Sequence, residues 1–359
     1  MTTRKTPTPT PTPPLRIGIL GCANIAKQFT RDVRGSDKVS VDAVASRNAD
    51  TAAAYAAANG IARHHGSYEA LLADTAIDAI YIPLPNSLHA EWAIKAAAQG
   101  KHILCEKPLA LGLAEAQAMF AAARQHGVML LEVYPWWFQP QTRDLLALLH
   151  DGTVGEVCSV QASFGFTLAN PAGNIRMNPD LGGGALLDAG SYTLSIIRLA
   201  MGCAPQRVVA DANWSDTGVD ISLMATLHYG DGRRAQMTCA MDAANHRHAT
   251  IVGSKGTVET EYLNHTSGHT SNRPGHPWGY LPSQMRVRRG TANSLAFKDI
   301  SSATGSGFLF AAEAFAKVVA DKDFAAIDRA ASASLDIAAT LEAIARSART
   351  GVAVDVASA

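Results

Sequence analysis

The sequence predicts an α/β protein in two parts: a domain built on a parallel, doubly wound sheet, then an α+β domain with a large, mainly antiparallel sheet. Three observations carry this reading. Up to about residue 138, short apolar runs alternate with Ala-rich segments of helical length. Beyond residue 140 the pattern changes to consecutive strand-like stretches with hairpin punctuation such as Gly230-Asp231-Gly232. At 359 residues the chain also exceeds one ordinary domain.

In the first part, segments 15–20, 39–46, 79–82, 102–104 and 128–133 are short, apolar and flanked by turn residues, as strands buried on both faces are. Between them, 25–33, 50–59, 87–99 and 113–126 are rich in alanine and favour helix. Gly100 and Gly127 follow the last two helices, where a left-handed cap suits a residue without a β-carbon. Repeated strand–helix–strand units of this kind build a parallel sheet covered on both faces.

The second part opens with a helix over 142–150 and an alternating strand over 157–166. A Gly-rich turn then leads into a helix over 185–201, followed by strands over 207–214, 221–229, 235–241, 249–253 and 257–262. Residues 264–306 are polar, contain Gly, Ser and Pro, and read as mostly loop. Helices over 308–320 and 330–348 close the chain. The expected divisions are a leader over 1–14, a first domain over 15–138 and a second over 139–359. The prolines of the leader's Thr-Pro repeats lack amide donors, so a polyproline or disordered tail, or an arm across a partner subunit, is expected there.

Composition excludes several classes. Lys plus Arg and Asp plus Glu balance at 31 each, so nothing electrostatic points to nucleic acid or an anionic membrane. The cysteines Cys22, Cys105, Cys158, Cys203 and Cys239 are scattered, which argues against a disulfide framework or a zinc site. No apolar stretch reaches membrane-spanning length and no signal-peptide pattern opens the chain, so a cytoplasmic protein is expected. His64 and His65 fall in a polar loop, and His246 and His248 share one strand face. Two ligands without a third make a poor metal site, so no metal is expected.

The chemistry begins where the first strand meets Gly21-Cys22-Ala23-Asn24-Ile25-Ala26. This is the dinucleotide-binding Rossmann fingerprint with alanine in place of its second glycine. Gly21 permits the tight turn, and the backbone at Ala23, Asn24 and Ile25 faces the pyrophosphate. The second strand ends Ala45-Ser46-Arg47-Asn48, without the carboxylate that binds ribose hydroxyls. Ser46 and Arg47 suit a 2′-phosphate instead, so the expected cofactor is NADP(H).

The third and fourth expected strands end in Tyr81-Ile82-Pro83-Leu84-Pro85-Asn86-Ser87-Leu88-His89 and Cys105-Glu106-Lys107-Pro108. With these motifs the chain resembles the Gfo/Idh/MocA oxidoreductase family, over nearly its whole length from Leu15. Gly182-Gly183-Gly184-Ala185-Leu186-Leu187-Asp188-Ala189-Gly190-Ser191-Tyr192 is similar to the family's substrate-side helix. Tyr192 stands where many members have histidine. It resembles the branch of glucose–fructose oxidoreductase, NADP-dependent D-xylose dehydrogenase and dihydrodiol dehydrogenase, as does Asn174-Ile175-Arg176. The resemblance implies Leu84, Asn86, His89, Glu106 and Lys107 beside the cofactor, and Arg176, Asp188 and Tyr192 beside the substrate.

Removing hydride from a carbinol requires a base for its hydroxyl proton. A free tyrosine titrates at about 10, and a nearby cation lowers that value. Tyr192 is therefore expected as general acid/base, with Lys107 polarising the substrate oxygen and lowering the tyrosine, and Asp188 orienting substrate or lysine. The family-wide alternative gives the proton transfer to Lys107 itself. Where relatives commonly read Tyr-Arg-Phe-His-Pro, this chain has Trp136-Trp137-Phe138-Gln139-Pro140. Trp136 and Trp137 read either as packing at the domain junction or as indole faces for a sugar ring or aromatic diol.

The implied function is hydride transfer between NADP(H) and a sugar or polyol, of the aldose 1-dehydrogenase type. A dihydrodiol dehydrogenase or carbonyl reductase is the nearer alternative. A non-catalytic NADP(H)-binding sensor is the more distant one, and Lys107, Asp188 and Tyr192 argue against it. The resemblance also implies a homo-oligomer, dimer or tetramer, formed through any uncovered apolar face of the second sheet.

Overall fold

The computed structural model describes residues 13–266 and 281–358. Residues 1–12 of the expected leader, and part of the expected 264–306 loop, lie outside the described residues. The first sheet comprises β1 (Leu15–Leu20), β2 (Val39–Ala45), β3 (Arg63–His65), β4 (Ala79–Ile82), β5 (His102–Glu106) and β6 (Leu130–Val133). They run parallel in the order β3-β2-β1-β4-β5-β6. The helices are α1 (Asn24–Val33), α2 (Ala49–Asn59), α3 (Tyr68–Leu72), α4 (His89–Ala98) and α5 (Leu113–Gln125). Strand order reverses between β1 and β4, and a crevice at the carboxyl ends of strands forms at such a switch point.

β3 corrects the expected loop at His64-His65. It is a polar, three-residue edge strand, paired to β2 through Ala45 and His65, and too short to leave a periodic signal. Gly100 and Gly127 do take positive φ, at 69° and 64°.

In the second half, α6 (Pro140–His150) leads to β7 (Val157–Thr167), and a wide π-type turn (Leu186–Gly190) feeds α7 (Ser191–Met201). The next strands are β8 (Arg207–Trp214), β9 (Asp220–His228), β10 (Arg234–Ala240), β11 (Asp242–Gly253) and β12 (Gly256–Glu261). Then come β13 (Gln284–Arg289), β14 (Lys298–Ile300), α8 (Gly307–Asp321), α9 (Phe324–Thr350) and β15 (Val354–Asp355). The sheet runs β14-β13-β12-β11-β7-β10-β9-β8-β15, antiparallel except where β7 meets β10.

Two expectations change here. β11 begins well before residue 249, because its polar first half pairs with β7 across a bulge between Asp242 and His246. β13 and β14 replace part of the expected loop. Met285 and Val287 are buried in alternation with Arg286 and Arg288, a period of two that the arginines obscure. α7 and the later half of α9 pack into the core of this sheet. Its outer face is mixed rather than apolar, exposing Val209, Met224 and Val252 among residues such as Gln161 and Gln236.

The C-terminal helices do not belong to the second half alone. Phe308, Ala311 and Phe315 of α8 join Ile17, Phe29 and Tyr81 in one buried cluster. α9 gives Ile327 to that cluster, Ala331 and Ala338 to the other face of the first sheet, and Ile344 to the second. Each fully buried phenylalanine stabilises this union by roughly 1.5–3 kcal/mol. The C-terminal helices thus pack on both sheets and tie the two halves together. Among the described residues no helix is long and apolar enough to cross a membrane.

Candidate active site

At the nucleotide end, Gly21 turns with φ 94°, and a β-carbon there would meet Leu84 Cδ2 at 2.9 Å. Alanine is thus excluded at the first glycine of the fingerprint but accommodated at Ala23. The start of α1 has no side-chain cap, unlike α2 and α3, which are capped by Asn48 and Ser67. Its first-turn amides, including those of Asn24 and Ile25, are open to an anionic ligand. Ser46 is half-buried at the end of β2 and Arg47 is exposed beside it. The Tyr68 hydroxyl lies 3.5 Å from the position a Gly21 β-carbon would take, a neighbour that sequence reasoning missed because α3 is only five residues long. An uncapped helix, a glycine cradle and an acid-free second strand fit a phosphorylated dinucleotide.

The loops after β4 and β5 are locked to each other. His89 is fully buried, with Nδ1 2.9 Å from the Pro108 carbonyl and Nε2 2.9 Å from the Leu84 carbonyl. This corrects His89 as a cofactor contact: burial keeps the ring neutral, both its nitrogens are enclosed against backbone carbonyls with its single N–H donating to one of them, and the residue joins the two loops. Asn86 reaches across instead, its amide donating to Gly182 O at 2.8 Å and tethering the Gly-rich turn of the second half. Glu106 turns into the core and accepts from the Tyr81 hydroxyl at 2.5 Å. Burial pushes its carboxyl up to about 7, against the pull of Tyr81 and Lys107. Glu132 beneath the same loop holds the Leu109 amide at 2.8 Å, and burial pushes it up to about 7 as well.

The opposite wall is set by Asp220. Its buried carboxylate accepts from Leu186 N–H at 2.6 Å and starts the turn that carries Asp188. Gly184 just before it has φ 111°, and a β-carbon there would lie 2.2 Å from Asp220 Oδ1. Asp188 is thereby aimed at the lysine loop. Lys107 Nζ donates to Asp188 Oδ1 at 2.6 Å and to the Asp188 carbonyl at 3.1 Å, and Arg176 Nε donates to Oδ2 at 2.5 Å. Burial raises the Asp188 carboxyl, but Lys107 and Arg176 outweigh it and hold the group well below the usual carboxylate range.

One turn on, the Tyr192 ring centroid lies 4.7 Å from Lys107 Nζ. Its hydroxyl accepts from Asn264 Nδ2 at 2.9 Å, and the Arg247 guanidinium stands 4.3 Å from its ring. Sequence reasoning missed Arg247 and Asn264. The first lies between two histidines weighed only as metal ligands, and the second opens a segment read as loop. Lys107 pulls the phenol down, as expected, but it does not set the outcome. Burial is the larger influence and pushes Tyr192 above its ordinary value, with Lys107 and Arg247 pulling down.

Trp136 is also corrected. It is 1% exposed, donates from Nε1 to Ser195 Oγ at 3.0 Å and packs edge-on against Tyr262, so it is core and offers no face to a substrate. Trp137 is half-buried against Tyr134, which itself meets Tyr192 edge-on with centroids 5.5 Å apart. The Trp137 indole N–H finds no acceptor among the described residues. Gln139, in the position of the relatives' histidine, donates to the carbonyls of Asn264 at 2.7 Å and Gly305 at 2.9 Å.

This arrangement places a lysine, a carboxylate and a tyrosine at the mouth of a dinucleotide fold, as alcohol oxidation requires. Residues 15–134 match the oxidoreductase family with an NAD-binding Rossmann fold, and residues 142–259 match the GFO/IDH/MocA C-terminal domain. The chain is 35% identical to D-xylose 1-dehydrogenase (NADP(+)) 2 of Haloferax volcanii, over 95% of this chain and 100% of that one. It is 34% identical to trans-1,2-dihydrobenzene-1,2-diol dehydrogenase of Danio rerio, over 76% and 78% of the two chains. Among solved structures it superposes on KijD10, a 3-ketoreductase from Actinomadura kijaniata in complex with NADP and TDP-benzene. The TM-score is 0.79 at 30% identity, over 93% of this chain and 98% of that one. Both halves of the molecule thus carry the same assignment, and the chain belongs to the Gfo/Idh/MocA family of oxidoreductases.

Proposed function

We propose that the protein transfers a hydride between NADP(H) and the carbinol or carbonyl carbon of a sugar or related polyol. The convergence of Lys107, Asp188 and Tyr192 from separate elements is the observation that carries this reading. NADP(H) is supported by the exposed Arg47 at an acid-free strand end and by the NADP in the names of two relatives. When bound, the nicotinamide supplies the hydride acceptor or donor.

The chain's own residues handle the oxygen and its proton. Lys107 has three N–H donors, two of them directed at Asp188, and the third is left for the substrate oxygen. Asp188 keeps Lys107 charged and aimed, and Arg176 fixes the far oxygen of Asp188. In reduction Tyr192, kept protonated by its burial, gives its phenol proton to the oxygen as C=O becomes C–OH, and in oxidation its phenolate form takes that proton back.

Aromatic dihydrodiols form a second substrate class, favoured by the Phe164 ring set edge-on to Tyr192 and by Phe166 tilted against Phe164 along β7. An NADP⁺ absorbance screen over aldopentoses, aldohexoses, inositols and dihydrodiols, run beside Tyr192→Phe, tests the reading. Turnover of a sugar that the variant loses is the expected result. No turnover in any class, or an unimpaired Tyr192→Phe, would remove it.

A further inference from the structure

Among the described residues two cations face the Tyr192 ring, and only Lys107 belongs to the motifs that mark the site. The other, Arg247, reaches in from β11 and lies 4.0 Å from the Phe164 ring and 4.3 Å from the Tyr192 ring. Its Nη1 donates to the Tyr262 carbonyl at 3.2 Å and to Asn264 Oδ1 at 3.1 Å. A guanidinium has donors only, so the Asn264 amide must present its oxygen to Arg247 and its nitrogen to Tyr192. The orientation of the amide is therefore set by charge. Gln139 steadies the same residue through its backbone carbonyl.

This has a chemical consequence for the phenol. Asn264 donates to the Tyr192 oxygen, so that oxygen is an acceptor on this side and its own O–H is free to point at another partner. A donor to the oxygen and a cation at the ring both favour the ionised form. The titratable groups acting on Tyr192 are Glu106 and Lys107 from the end of β5, Tyr81 from β4, Tyr134 beyond β6 and Arg247 from β11, with Asp188 paired to Lys107 and Tyr262 against Arg247. Burial and Glu106 push its phenol up, and Lys107 and Arg247 pull it down.

We propose that Arg247 and Asn264 form a positioning pair that aims the Tyr192 hydroxyl at the substrate and stabilises its phenolate. The pair acts through Tyr192, so the proposal rests on Tyr192 being the acid/base. Arg247 supplies charge and locks the amide, and Asn264 carries that bias to the phenol oxygen. Lys107 is thereby left to the substrate oxygen and Asp188.

The test is the pH profile of kcat for substrate oxidation in the full-length enzyme with NADP⁺. Loss of the Arg247 charge disfavours the phenolate, so Arg247→Met is expected to move the acid limb to higher pH by roughly one to three units. Asn264→Asp is expected to move it the same way, because a carboxylate accepts from the phenol instead of donating to it. Arg247→Lys keeps the charge and restores most of the limb. In each variant kcat falls more than the KM for NADP⁺ changes. In a Tyr192→Phe background, adding Arg247→Met lowers kcat no further.

An unmoved limb in a folded Arg247→Met or Asn264→Asp overturns the pairing. So does a loss of kcat from Arg247→Met that persists undiminished in Tyr192→Phe. If Arg247→Met does not fold, Asn264→Asp at its half-buried position decides. A Tyr192→Phe enzyme with normal turnover overturns the acid/base reading itself, an outcome distinct from the other two.

Discussion

Lys107 Nζ stands 2.6 Å from Asp188 Oδ1, joining the end of the first sheet to the turn that begins α7 in the second half. The pair is largely buried, with side-chain exposures of 11% and 19%. Neither residue is placed by its own element alone. His89 and Glu132 hold the lysine loop, and Asp220 and Gly184 hold the aspartate turn. The ion pair is therefore a readout of whether the two halves have assembled.

Lys107→Ala removes the donor proposed to face the substrate oxygen, and with it a cation on the Tyr192 ring. Turnover is expected to fall by roughly 10²–10⁴, the usual contribution of an acid–base group. Steady-state kinetics with saturating NADP⁺ measures it. A near-normal kcat would take Lys107 out of the chemistry.

Asp188→Asn leaves Lys107 and Arg176 facing a neutral amide. The cost at neutral pH is roughly 3 kcal/mol, as when one partner of a buried ion pair is removed. The sign with pH follows from the depressed carboxyl. Its stabilisation is complete above the ordinary value of 3.8 and is lost as pH falls below that value. Thermal unfolding from pH 2 to 8 should show a constant gap between wild type and variant at neutral pH that narrows steadily once pH falls below about 4. A gap independent of pH would mean that the ion pairs contribute nothing to folding.

Arg47→Ala tests the cofactor. A charge-assisted contact to a 2′-phosphate is worth about 1.5–3 kcal/mol, so the ratio of NADPH to NADH affinity should drop by roughly 10- to 100-fold. Fluorescence titration with both cofactors reads that ratio, and an unchanged preference assigns the phosphate to another residue.

Gly184→Ala puts a β-carbon 2.2 Å from Asp220 Oδ1 at a φ of 111°. A stability loss of roughly 1–3 kcal/mol is expected for strain of this kind. Turnover should fall with it, because the displaced turn carries Asp188. If calorimetry finds stability intact, Asp220 does not define the turn.

Much of the first sheet was legible because buried parallel strands are short apolar runs and their helices are alanine-rich. β3, β13 and the first half of β11 were not. Their strand character comes from pairing with a neighbour already in place, through Ala45–His65, Val258–Val287 and Phe164–Arg247. Polar residues such as those of β3 join a sheet edge without leaving a local hydrophobic signal. The candidate site divides in the same way. Lys107, Asp188 and Tyr192 lie in recognisable motifs, whereas Arg247 and Asn264 lie in none.

By itself, the sequence determined most of the order of elements, the fingerprint at Gly21, the acid-free end at Arg47 and the candidate reacting side chains. Each of these is local, set by turn geometry, apolar periodicity or residue chemistry within a short window. The tertiary structure alone decided which way the long side chains turn. His89, Glu106 and Trp136 go into the core, Arg176 goes to Asp188, and Arg247 reaches Tyr192 through Asn264. It also decided that Tyr192 is governed by burial before charge. The physical reason is that desolvation and partner choice depend on every element packed around a group, and chain neighbours carry no record of that packing.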